Sequence, residues 1–152
     1  MLTLLLVVFP LHAADSDADA DALLALHNDW RAAAGVPLLA WDGELAQEAQ
    51  ARAEALQGGP LTTDPDAVGV LVGMLRVVGE NVSAGPAPLG AARRWESESP
   101  LAPCAPAVEA TGEADEDAGG GCSHHATAVA PYALRLGCGW SEPVLVCRYA
   151  TP

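Results

Sequence analysis

The chain has 152 residues and a formal charge of −13, with 7 Lys and Arg against 20 Asp and Glu. That length fits one domain, and a domain of about 150 residues hides roughly 70% of the surface its unfolded chain would expose. A phosphate backbone or an anionic membrane needs a basic patch to displace counterions, so nucleic acid is excluded as a partner and the acidity is read as solubility. Aromatic residues are few, so the core is expected to be built from Leu, Val, Ala and the 4 Trp.

Residues 1–14 read MLTLLLVVFPLHAA. The apolar run from Leu2 to Phe9, followed by small residues at Ala13 and Ala14, predicts a signal peptide over 1–14. No Lys or Arg precedes the run, and it is too short to span a bilayer. A secreted or periplasmic protein with no transmembrane anchor after cleavage is therefore expected. The 4 Cys fit export, where an even count suggests disulfides, and spacing alone leaves three connectivities open.

Asp15 to Asp21 alternates acids with small residues and begins like a calcium loop. Counted from Asp15, the sixth and twelfth positions are Ala20 and Leu26, where Gly and Glu are needed, so that reading fails. Residues 15–22 are expected to be a solvated acidic arm. Leu23, Leu26, His27, Trp30 and Ala34 then fall on one face of a helix over 22–34, with a stop at Gly35 and Pro37. Asp42 is a candidate N-cap for a second amphipathic helix over 43–57, which Gly58-Gly59-Pro60 ends. Val68 to Val78 is apolar and interrupted by glycine, so its type stays open. Pro86 and Pro88 introduce a third helix through Trp95 to Glu98, and Pro100, Pro103 and Pro106 break it. Residues 105–121, ending EADEDAGGG, read as a solvated loop. Ala126 to Leu136 is predicted as a strand with a bulge or edge position at Pro131, and Pro143 to Tyr149 as a buried strand. Helices first and strands late give an α+β class, with the mature domain spanning 23–152.

Read in order, several segments resemble one family. Leu26-His27-Asn28-Asp29-Trp30-Arg31 is similar to an HNxxR helix. Gly35 to Asp42 and Glu44 to Gln50 are similar to the turn and helix that follow it. Gly79-Glu80-Asn81-Val82 resembles a GEN motif, Trp95-Glu96-Ser97-Glu98 a WxxE motif, and His125-Ala126-Thr127-Ala128-Val129 an HxTQxVW motif. Leu136-Gly137-Cys138-Gly139 and Val146-Cys147-Arg148-Tyr149 resemble the last two strands. The series, spread over residues 26–149, resembles the CAP superfamily of cysteine-rich secretory and pathogenesis-related class 1 proteins, in a divergent bacterial form. The resemblance implies a three-layer α-β-α sandwich around a mostly antiparallel sheet. It also implies disulfides Cys104–Cys122 and Cys138–Cys147; the first closes a loop worth about 3 kcal/mol in the chain-entropy account.

The resemblance further implies a cleft of two His and two Glu, three of them here Glu80, Glu98 and His125. The fourth place, a His shortly before GEN, has no counterpart between residues 58 and 79. Ala128 replaces the family's Gln, and Ala130-Pro131 stands where Val-Trp is usual. A divalent ion such as zinc needs several good donors in fixed geometry, so no cofactor is expected. His125, or His124 beside it, is what remains for weak metal binding. No GxSxG elbow or spare thiol offers a nucleophile. The expected function is a monomeric, exported binding module for a lipid or a partner protein. The alternative is a metal-dependent hydrolase using Glu80, Glu98 and His125. Asn81-Val82-Ser83 also fits a glycosylation sequon.

Overall fold

The computed structural model describes residues 13–98 and 123–152. Most of the expected leader, the loop over 105–121 and the Cys104–Cys122 pair lie outside those residues.

Helix α1 spans Ala13–Ala34. It buries Leu23, Leu26, His27, Trp30 and Arg31, spaced by three and four residues, which makes a single stripe. The helix begins earlier than the apolar pattern predicts and takes in the run expected as an acidic arm. The alternating Ala residues favour helix, and acids gathered at its N-terminal end suit the macrodipole. Its end is as expected: Gly35 turns left-handed at φ 69° and the Val36 N–H returns to the Arg31 carbonyl at 3.1 Å. Strand β1, Ala40–Trp41, leads to helix α2, Gly43–Ala55. Asp42 caps α2 by accepting the Leu45 N–H at 2.9 Å.

The ambiguous apolar stretch resolves into a hairpin, β2 at Leu71–Val72 and β3 at Leu75–Ala84. Helix α3, Pro88–Arg93, runs into a 3-10 turn over Arg94–Ser97 that buries Trp95. Helix α4 spans His124–Ala128, followed by β4 at Arg135–Ser141 and β5 at Val144–Thr151. The strand expected over 126–136 is therefore corrected: its first residues are helical and pairing starts only at Arg135. The alternation of Ala, Thr and Val imitated a strand, but Ser123 caps a helix there by accepting the Ala126 N–H at 3.1 Å.

The five strands are ordered β1-β4-β5-β3-β2, with β1 parallel to β4 and every other pair antiparallel. Side chains alternate between the two faces. One face, with Leu136, Cys138, Leu145, Cys147 and Tyr149, packs under α1 and α3 around Trp30 and Trp95. The other, with Val82, Val144 and Val146, packs against Ala49, Ala53 and Leu56 of α2. The result is a three-layer α-β-α sandwich. Cys138 and Cys147 sit directly opposite each other on β4 and β5 and form a disulfide.

The α2 layer lies unusually close to the sheet because β4 offers it Gly137 and Gly139. A Cβ on Gly137 would overlap the backbone of Leu45 and Ala46, and one on Gly139 the backbone of Ala49 and Gln50. Gly139→Ala should therefore destabilise the domain by about 1–3 kcal/mol, the usual range for overpacking. Gly43→Ala, which meets open space at the start of α2, should leave stability almost unchanged. Urea denaturation of the two variants checks this, and equal stability would contradict the packing described.

Candidate functional site

Glu80 is only 2% exposed. One carboxylate oxygen accepts the Arg148 Nε–H at 2.9 Å, and the other accepts the Asp64 backbone N–H at 2.9 Å. Arg52 of α2 approaches it at 3.7 Å, and Arg148 lies 3.7 Å from Glu48. Glu80 thus joins α2, the loop over 60–67 and β5 through buried charge. Such a group is costly to leave half-paired: removing one partner typically loses about 3–5 kcal/mol.

Glu98 lies elsewhere. Its Oε2 accepts the backbone N–H of His124 at 2.6 Å and of His125 at 3.3 Å. Its Oε1 meets His124 Nδ1 at 2.8 Å. The carboxylate therefore caps the free amides of α4 and holds one imidazole, which stacks on Trp95 at 5.9 Å between ring centroids. His125 turns another way. Its ring sits edge-on to Trp30 at 5.4 Å, and its Nδ1 is buried without a hydrogen-bond partner.

The three residues expected in one cleft are thus not joined by their side chains. Strand geometry gives the reason. Asn81 faces α4, donating to the His124 carbonyl at 2.7 Å, so its neighbour Glu80 must face α2. Glu98 meets His124 rather than His125, because the two histidines follow one another on a helix and diverge by about 100°. The glycosylation sequon is closed as well, since Asn81 is fully buried.

Sequence reasoning placed His27 in the core but missed what it does there. Its Nδ1 lies 2.7 Å from the Leu23 carbonyl and its Nε2 2.9 Å from the Tyr149 hydroxyl. That hydroxyl also accepts from Asn81 Nδ2 at 3.0 Å. With Nδ1–H donating to the carbonyl, Nε2 accepts the tyrosine proton and the whole chain is neutral. Burial fixes that state: it lowers the His27 pKa from 6.5 to about 4 and pushes the Tyr149 phenol well above its usual range. Asn28 brackets the Leu39 backbone, donating to its carbonyl at 3.1 Å and accepting its N–H at 2.8 Å. Arg31 donates to the carbonyls of Pro37, Ala128, Ala130 and Ala133 at 2.5–3.0 Å.

Known proteins share this fold and sequence pattern. The model of the cysteine-rich secretory protein family, CAP, matches residues 24–149. The chain belongs to the CAP family. Pathogenesis-related leaf protein 6 of Solanum lycopersicum is 30% identical over 144 residues, covering 91% of this chain and 78% of that protein. Venom allergen-like protein 4 of Schistosoma mansoni shares the fold with a TM-score of 0.63 at 19% identity, over 88% of each chain. An extracellular protein containing a SCP domain from Bacillus anthracis gives a TM-score of 0.62 at 15% identity over 95% of this chain, which spans 45% of that one.

In this CAP domain the HNxxR residues are architectural: His27, Asn28 and Arg31 each hold backbone or a buried partner in place. The zinc-type set does not fit the donors present. Among the described residues, no three of His, Cys, Asp and Glu form a group able to hold a metal ion. His124 and Glu98 already satisfy each other, and Glu80 is bound to Arg148 on the far side of the sheet.

The neutral state of His27 has a pH consequence. Above about pH 6.5 the imidazole is neutral whether the chain is folded or not. As pH falls from 6.5 towards 4, the unfolded chain takes up a proton that the folded chain refuses. Stability therefore declines across that window by about 1.4 kcal/mol for each pH unit of offset. A proton NMR titration should show one imidazole with a midpoint near 4 that disappears in His27→Gln, and the variant's stability should depend less on pH. A midpoint near 6.5 for His27 would contradict the neutral network.

Proposed function

We propose that this chain is an exported CAP domain that works by binding, holding a lipid or a partner protein, and not by catalysis. The observation that carries the reading is the engagement of its polar motif residues. Glu80 is buried against Arg148, Glu98 caps α4, and His27 and Asn81 belong to a neutral core network. A general base needs a lone pair within reach of a substrate proton, and a nucleophile needs a base beside it. His124 keeps one ring nitrogen outside its Glu98 contact, but among the described residues no exposed nucleophile is bonded to the pair. The Ser123 hydroxyl, which donates to Glu98 at 3.4 Å, belongs to a residue 1% exposed and already caps the helix.

Export rests on the leader pattern over 1–14, on the Cys138–Cys147 disulfide and on the extracellular SCP-domain relative. No helix among the described residues is long and apolar enough to cross a membrane. The same reading takes the mature domain as a monomer without a resident metal.

Calorimetric titration with zinc near neutral pH should show no tight one-to-one binding. Purified protein should hydrolyse neither casein nor fatty-acid esters in a manner that Glu98→Gln abolishes. Native mass spectrometry of the protein secreted by its own host should instead show a retained lipid or protein. Tight zinc binding lost in His125→Ala, or turnover lost in Glu98→Gln, would favour the metal-dependent hydrolase.

A further inference from the structure

The β2–β3 hairpin carries an unusual concentration of uncovered apolar surface. Met74 at its turn is 92% exposed, Leu71 is 61% exposed and Val70 is 48% exposed. Isolated exposed apolar residues are ordinary, but a cluster on one protruding turn marks a contact surface. Half of the large hydrophobic residues exposed among the described residues lie within these five positions. β2 is also the last strand of the sheet among the described residues, and no described strand pairs with its outer edge.

Beside this hairpin runs a groove of about 390 Å³, lined on the other side by Glu44, Gln47 and Glu48 from the first turns of α2. That volume falls within the range of ligand sites, and it suits one long side chain better than an extended lipid. Two carboxylates line the groove and no Lys or Arg does. Arg148 is 3.7 Å from Glu48 but is itself buried and directed to Glu80. Arg76 lies outside the groove lining, on the same face as its cross-strand partner Leu71, and donates to the Gly69 carbonyl at 3.2 Å.

We infer that this groove docks an extended polypeptide segment in which a basic residue alternates with apolar ones. The basic side chain enters between Glu44 and Glu48. The apolar neighbours cover Leu71 and Met74, and the segment runs along the open edge of β2. Charge complementarity decides among occupants. A fatty-acid carboxylate or an anionic membrane would face both carboxylates and a chain of charge −13, whereas a Lys or Arg side chain is attracted by both. The inference rests on the binding-module reading and narrows it to a protein partner at a defined surface.

The test uses a fluorescent nine-residue peptide alternating Arg and Leu, with a Glu–Leu peptide and phosphatidylcholine–phosphatidylglycerol vesicles as comparators. Wild-type protein should bind the Arg–Leu peptide, bind it more weakly as salt rises, and leave the Glu–Leu peptide free. Glu44→Gln and Met74→Ser should each weaken that binding about tenfold, the loss expected of one charge-assisted contact or one covered apolar side chain. Neither position is buried, so both variants should melt as the wild type does. Binding that neither substitution weakens places the peptide elsewhere and overturns the inference. Vesicle binding lost in Met74→Ser also overturns it, because the patch would then be a membrane contact. No peptide binding by a protein that still carries a lipid in native mass spectrometry defeats this surface and leaves the binding-module reading standing. No peptide binding by a protein that retains nothing defeats both.

Discussion

The buried guanidinium of Arg31 is the contact on which the arrangement of the layers depends. It is fully buried, and its hydrogen-bond acceptors are the backbone carbonyls of Pro37, Ala128, Ala130 and Ala133. Those carbonyls belong to the loop after α1, to the last residue of α4 and to the irregular segment between α4 and β4, where no strand ladder reaches them. A buried carbonyl without a donor costs about 1–3 kcal/mol, and Arg31 supplies the donors for Ala128 and Ala133 while adding to the Ala133 N–H that Ala130 already accepts. Lysine could not replace it, because a single ammonium lacks the planar fork that reaches carbonyls in several directions. Arg31 thus ties the end of α4 to α1, while Ser123 and Glu98 hold its start.

The two faces of the sheet then use polar chemistry differently. Towards α1 and α4 the Arg31 guanidinium bonds backbone carbonyls, and beside it runs a neutral network in which His27, Tyr149 and Asn81 pass hydrogen bonds along one chain. Towards α2 the groups are charged: Glu80 lies between Arg148 and Arg52. Neighbouring residues Glu80 and Asn81 send their side chains to opposite faces, so the GEN segment anchors both layers. A motif that serves both layers is a constraint on architecture before it is anything else. This is why Glu80 is held away from the pair formed by Glu98 and His124, and why the binding surfaces of this CAP domain are best sought among groups with no such duty, as on the β2–β3 hairpin.

Much of the fold was legible in the sequence because local signals and tertiary packing agree. The Asp42 cap, the Gly35 stop and the apolar stripe of α1 each state their own geometry. Residues 126–136 were misread because Ala, Thr and Val at alternate positions carry no helical period, while the cap that decides the matter is one serine outside the run. The start of α1 was set too late, at residue 22, because the acids over 15–22 suggested only solvation and the alanines between them, good helix formers, received no weight. The candidate site was the least legible part. Motif order identified Glu80, Glu98 and His125, but a motif does not state which face of a strand a residue occupies. Alternation along β3, once Asn81 was assigned to the core, would have placed Glu80 on the other side. The carbonyl cluster around Arg31 had no signal in sequence, since backbone acceptors are invisible there.

The structural duty of the HNxxR helix is the central claim, and Arg31 is its sharpest point. Hydrogen exchange followed by mass spectrometry, comparing wild-type protein with Arg31→Lys, reads it locally. The account predicts faster exchange in residues 35–39, in α4 and in residues 129–134, with α2 and the β4–β5 ladder remaining protected. Unchanged protection in those segments, or an even loss across the whole domain, would contradict it.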